Sequence, residues 1–451
     1  MVAFTTFLAV LSLLSAAVVT AFDGFDLGNW RSRTFDLGTK VNPIDSLSPY
    51  HLRVTFPTTC TSSCGPFQEG GFPVFLFVTA FAGTMDAFKY DVVMTGIARH
   101  GVIVVAVDQD LGFSLTIDYS KLATNLQKVI GFIRQTGEGG LLAEMQARGF
   151  TRTILNNAQR IIFGGHSSGA HIAVRNIKEN TVRGQTCPDA GGVVLFSPMD
   201  GADPLGFSGD FVIQEGKPLP FSAPALLVSG SLDGESSQLT QGAPCTPDDR
   251  GNKHYYEAWV GAINWIKADN MGTLDVLNEA AETTYKDLCA ASPPANVNER
   301  RDYRTMVRGA VVSFIQGVVL NDQNYIDKLE TQRDLEFPSV TEKRGSGRAF
   351  SCSYVPVPET MAFELQLGLI LFGVLFALTF VTGLYIFFRK MDDDTLHRYH
   401  PAEGVGYEQP ASFQTKLEPQ YGVSGQIAPE NPYQQQASFS MPNSRAPSIN
   451  V

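Results

Sequence analysis

Between residues 160 and 178 a short apolar run meets a helical pattern across Gly165-His166-Ser167-Ser168-Gly169. This junction constrains the fold more than any other stretch. A strand that turns this sharply into a helix leaves no room for a side chain two residues before or after the serine, so both positions are glycine. The turn lifts the Ser167 hydroxyl above the strand ends. The start of the following helix can stabilise negative charge there, and the Ser168 N–H is the expected oxyanion donor. Ser167 is therefore the candidate nucleophile. The alternative is a turn retained for its shape, with an idle serine.

The flanking sequence supplies the sheet that such a junction requires. Residues 73–78, 102–107, 160–163, 192–196 and 225–228 are short, nearly continuous apolar runs. Residues 85–99, 119–135, 168–178 and 306–319 show helical spacing. Apolar strands without alternation, separated by amphipathic helices, predict an α/β domain. Its mostly parallel central sheet is covered by helices on both faces.

The two ends of the chain predict its topology. Residues 2–21 carry no charge and end in Val19-Thr20-Ala21, a small-residue cleavage pattern, so 1–21 reads as a signal peptide. The alternative is a short membrane anchor. Residues 365–388 form a second apolar run, followed at once by Arg389-Lys390. At about 1.5 Å per residue it crosses a hydrocarbon core of roughly 30 Å with some tilt. The basic pair places the C-terminal side in the cytoplasm. A single-pass type I protein of the plasma membrane is expected, with an internal membrane open on the same evidence. The expected segments are a lead-in at 22–50, an extracytoplasmic domain at 51–324, a stalk at 325–364, the transmembrane helix at 365–388 and a disordered tail at 389–451. The tail has too few aliphatic residues to bury a core. It ends in Ile449-Asn450-Val451, whose spacing suits a PDZ-type groove.

The net charge of −11 divides into about −9 before the expected span and −2 after it, with no basic block beyond Arg389-Lys390. Nucleic acid is not an expected partner. All six cysteines (Cys60, Cys64, Cys187, Cys245, Cys289 and Cys352) precede the span. Their even number fits disulfides in an oxidising compartment, with the pairing left open. There is no Asn-x-Ser/Thr sequon. No metal-ligand spacing, phosphate-binding glycine loop or cofactor motif is present, so neither a cofactor nor a metal is expected.

Several stretches resemble the chlorophyllases, a branch of the α/β-hydrolases near the platelet-activating-factor acetylhydrolases. Val74 to Asp108 looks like the family's opening strand–loop–helix–strand, including His100-Gly101. Pro198-Met199-Asp200-Gly201 looks like its Pro-Val-Asp-Gly segment. Pro244-Cys245-Thr246-Pro247, with His254 and Tyr256 beyond it, looks like its Pro-Cys-Ala-Pro stretch. Leu288-Cys289 and the run from Arg308 to Phe314 look like its closing helix. The resemblance covers about residues 50–325. It implies an α/β-hydrolase fold and serine esterase chemistry on bulky hydrophobic esters.

Three parts of the implied machinery differ. The family's catalytic histidine lies in a Gly-His-Met-Asp stretch, which here reads Gly272-Thr273-Leu274-Asp275, so Thr273 stands in its place. A hydroxyl cannot act as general base at neutral pH. Ser197 stands where the resemblance implies the acid. The loop that usually reads His-Gly-Phe reads Thr79-Ala80-Phe81, with Ala80 and Phe81 as the expected oxyanion donors beside Ser168. Asp233 or Asp200 remains as a candidate acid, and His254 as a candidate base that follows both in sequence. His51, His100, His166 and His171 are the other histidines before the span.

Three functions follow. The domain is a silent or weak hydrolase that binds a hydrophobic ester, a lipid-like ligand or an extracellular protein. Alternatively it is an active membrane-anchored serine esterase or lipase with a rearranged triad, Ser167–Asp233–His254. Or it is an adhesion scaffold. Fold alone does not choose among them.

Overall fold

The apolar runs form the centre of a nine-stranded sheet. The structure, a computed structural model, describes residues 24–38, 50–61, 64–67, 71–83, 85–109, 118–154, 161–182, 190–201, 210–236, 244–279, 289–293, 296–331, 337–344 and 353–354. The sheet strands are β1 (Trp30–Gly38), β2 (Tyr50–Cys60), β3 (Val74–Val78), β4 (Ile103–Gln109), β5 (Ile161–His166), β6 (Ala190–Phe196), β8 (Ala225–Gly230), β9 (Ile263–Ala268) and β10 (Ser339–Arg344). Their order is β1-β2-β4-β3-β5-β6-β8-β9-β10. The pairs from β4 through β9 are parallel, and the two outer ladders at β1–β2–β4 and β9–β10 are antiparallel. A short strand β7 (Phe221–Ser222) pairs separately with β11 (Ser353–Tyr354).

Every residue of β3, β5 and β8 is buried. That is why these segments show apolar runs and no alternation: helices cover both faces of each strand. The helices are α1 (Asp91–Ala98), α2 (Tyr119–Arg134), α3 (Leu141–Gln146), α4 (Ser168–Val182), α5 (Asn252–Ala258), α6 (Val297–Leu320) and α7 (Gln323–Thr331). Helix α1 packs on α6 and α2 packs on α4. Among the described residues one hydrophobic core gathers side chains from Phe25 to Phe337.

Two expected boundaries need correction. The lead-in at 22–50 contains β1, which pairs along β2 from Trp30 to Gly38. Within the stalk expected at 325–364, the described residues 325–331 and 337–344 instead belong to the domain. Helix α7 buries Ile326 and Leu329, and β10 completes the sheet edge on β9. Both edge strands carry charged side chains on an open face, which masked them in the sequence pattern. No helix among the described residues is long and apolar enough to cross a membrane. The expected signal peptide at 1–21, the span at 365–388 and the tail at 389–451 lie outside the described residues.

Two disulfides join described cysteines, Cys60–Cys64 and Cys245–Cys289. Cys187 and Cys352 lie outside the described residues.

Candidate active site

The strand-to-helix junction has the strained geometry its sequence demands. Ser167 sits between β5 and α4 with φ +54°, a left-handed conformation that costs energy for any residue with a Cβ. Its N–H donates to the Phe196 carbonyl at 3.0 Å, and its own carbonyl accepts from Ala170 N at 3.0 Å and Met199 N at 3.2 Å. A Cβ on Gly165 would lie 2.5 Å from Ala170 N, and one on Gly169 would lie 2.2 Å from the Thr79 carbonyl. Only glycine allows the chain to pass this close. Phe81 (φ +53°) and Ser197 (φ +39°), two other expected site positions, are also left-handed.

Asp233 follows β8 and is 2% exposed. Its Oδ2 accepts from Gly230 N at 3.1 Å and Asn252 Nδ2 at 3.0 Å. Its Oδ1 accepts from the Thr273 hydroxyl at 3.0 Å, and the Ser197 hydroxyl also donates to this carboxylate. Burial pushes the Asp233 carboxyl up to about 6, and the four donors partly offset that rise. The loop after β9 presents Thr273. Asp275 anchors that loop by accepting from Gly272 N, Ser292 N and the Ser292 hydroxyl. The hydroxyls of Ser197 and Thr273 thus meet on one carboxylate.

Each of the five histidines before the expected span is engaged away from Ser167. His51 Nδ1 is 2.9 Å from Asp108 Oδ1, and His100 Nε2 is 3.2 Å from the Asp26 carbonyl. His166 shares a 2.7 Å hydrogen bond with the Tyr90 hydroxyl, and burial pushes its imidazole down to about 3, so it stays neutral. His171 Nδ1 lies 2.6 Å from Asp200 Oδ1. His254 Nε2 lies 3.7 Å from Asp200 Oδ2. Among the described residues, no hydrogen bond or ion pair joins His254 to Asp233 or to Ser167. The structure pairs His254 with Asp200, not with Asp233, because α5 directs successive side chains to different partners. Asn252 reaches Asp233, and His254, two residues on, reaches Asp200.

Asp200 is fully buried and also accepts from Val212 N and Ile213 N at 2.9 Å each. Burial would raise its carboxyl, but the bonds from His171 and His254 outweigh that effect and hold it well below the usual carboxylate range. Asp200 is therefore an ionised hub that ties α4 and α5 to the segment around Ile213.

On the oxyanion side, the Ala80 N–H donates to the Tyr90 hydroxyl at 3.1 Å. That amide is spent within the protein. Ser168 opens α4 directly after the junction, and Phe81 follows Ala80 in a single helical turn, Ala80–Gly83. Tyr90 and Asn252 were not anticipated. Each is a single polar residue at a helix start, and no spacing rule marks it. Among the described residues, no group of three or more His, Cys, Asp or Glu is placed to hold a metal.

The chain is similar to two solved esterases. A ferulic acid esterase from Streptomyces cinnamoneus is 14% identical, with a TM-score of 0.40 over 66% of this chain and 91% of that one. A mutant of the esterase rPPE is 14% identical, with a TM-score of 0.40 over 68% of this chain and 89% of that one. None of the curated proteins compared with the chain matches it. The chlorophyllase family model matches residues 24–342, from just before β1 to within β10. That span takes in the strand-to-helix junction, Ser197 and Thr273, and the chain belongs to the chlorophyllase family.

Proposed function

We propose that this chlorophyllase-family domain is catalytically silent or weak and acts by binding. The observation that carries the reading is the Thr273–Asp233 hydrogen bond. Where a serine hydrolase holds an imidazole between nucleophile and acid, the acid here is occupied by a hydroxyl. A neutral serine without a base is a poor nucleophile. The ligand class that suits the family is a hydrophobic ester or lipid-like molecule, with an extracellular protein as the other partner class. We place the domain on the outer side of a plasma membrane, anchored by residues 365–388. The tail then offers Val451 to a cytoplasmic PDZ-type domain.

A fluorophosphonate probe on the full-length protein in detergent tests the reading. Little labelling of Ser167 is expected. Strong labelling that Ser167→Ala abolishes would show instead an active serine esterase. The left-handed Ser167 and the His254–Asp200 pair are the observations that favour this second reading. His254→Ala would then identify the base. A third role, as an adhesion scaffold, needs no occupied site and predicts no labelling and no ligand.

A further inference from the structure

A cavity of about 730 Å³ opens beside α5, with His254 in its wall. The residues around it sort by whether their polar groups are already committed. Arg250 lies 3.4 Å from Asp249, and its guanidinium sits over the Phe211 ring at 6.0 Å. Lys253 lies 3.9 Å from Glu257. Both cationic side chains therefore have carboxylate partners. Glu215 and Asp248 also line the cavity, and neither has an ion pair among the described residues. His254 is oriented from behind by buried Asp200, through its Nε2. An imidazole whose Nε2–H faces a carboxylate presents Nδ1 as an acceptor. The uncommitted polar groups of the cavity are thus acceptors, and the surplus charge is negative. Phe211 and Ile213 supply an apolar wall.

We propose that this cavity binds a protonated organic amine with an apolar body. The ammonium donates to His254 Nδ1 and to the carboxylates of Glu215 and Asp248. The apolar body lies along Phe211 and Ile213. The volume falls within the range that takes a small organic ligand. The proposal does not rest on whether Ser167 reacts, because neither Ser167 nor Thr273 lines the cavity.

The test is calorimetric titration of full-length protein in detergent with 2-phenylethylamine, 2-phenylethanol and phenylacetate. Saturable binding of the amine, weaker binding of the alcohol and none of the carboxylate are expected. His254→Ala should weaken amine binding by about tenfold, as expected for a lost charge-assisted hydrogen bond. Glu215→Gln together with Asp248→Asn should do the same. Both of these residues are exposed, so this double variant decides the matter if His254→Ala does not fold. Ser167→Ala should leave amine binding unchanged. Equal affinity for amine and alcohol, preference for phenylacetate, unchanged binding in the double variant, or loss of binding in Ser167→Ala would each overturn the proposal.

Discussion

The hydroxyl of Thr273 donates to Oδ1 of Asp233 at 3.0 Å, with both residues almost wholly buried. A hydroxyl thus occupies the carboxylate that the sequence offers as a candidate acid, at the position where the family resemblance implies an imidazole.

Thr273→His supplies that ring on a loop already facing Asp233. Removing a triad member typically costs on the order of 10⁴–10⁶ in kcat, so restoring one leaves a wide margin for gain. Hydrolysis of p-nitrophenyl butyrate should rise at least about tenfold over the native protein, and Ser167→Ala should remove the gain. Adding Ser197→Asp should not help further. Ser197 already donates to Asp233, and a second carboxylate there would repel the first. A double variant clearly faster than Thr273→His would show that Asp233 is not the working acid.

Asp233 should leave a signature in the pH dependence of stability. Its folded carboxyl lies near 6, above the ordinary 3.8. Below the ordinary value it is protonated in both folded and unfolded chains and contributes nothing. As pH rises through this window the unfolded chain releases the proton first, so stability falls, and the loss is complete above about 6. The gap corresponds to about 3 kcal/mol. The stability of Asp233→Asn relative to native, from urea denaturation, should therefore improve between pH 4 and 6 by up to that amount and then level off. A flat difference across the window would contradict the buried placement.

Tyr90→Phe removes the hydroxyl that joins His166 to the Ala80 amide. Two buried polar groups then lose their partner. Each unsatisfied group costs about 1–3 kcal/mol, so denaturant stability should drop by roughly 2–6 kcal/mol. Loss below about 0.5 kcal/mol would mean that the released groups find other partners.

Cys245–Cys289 closes 44 residues and ties the neighbour of Thr246, which bonds Asp233, to the segment whose Ser292 holds Asp275. Loop-closure entropy for that length is about 4 kcal/mol. Replacing both cysteines by serine should lower stability by about 2–4 kcal/mol without changing the dependence on denaturant beyond a small shift in slope. Hydrogen exchange at Thr246, whose N–H and hydroxyl both donate to the Asp233 carbonyl, should speed up with it.

The central strands were legible because burial on both faces erases alternation, as in β3, where all five residues are buried. The edges were not. Strand β1 carries Arg31, Arg33 and Asp36, and β10 carries Glu342, Lys343 and Arg344, a composition that reads as linker when only one side of a strand is paired. At the site, the sharp turn at Ser167 was legible from its glycines, whereas Thr273 was singled out only by the family resemblance. The partners of the acids were not, because sequence order does not reveal which carboxylate a helix side chain reaches. His254 follows both Asp200 and Asp233, and only the start of α5 decides the matter by giving Asn252 to one and His254 to the other.

The way the chain leaves the domain gives it a graded response to tension. A pull from beyond Tyr354 first meets the two residue pairs of β11 and β7. It then meets the six pairs between β10 and β9. Strand β9 runs directly into the loop that presents Thr273. Force from that side is therefore borne in two stages, a weak clasp and then a longer ladder, and the second stage ends beside the Thr273 loop. A load that peels β10 away would leave that loop held by Asp275, Asp233 and the β8 ladder, with the parallel strands behind Ser167 intact.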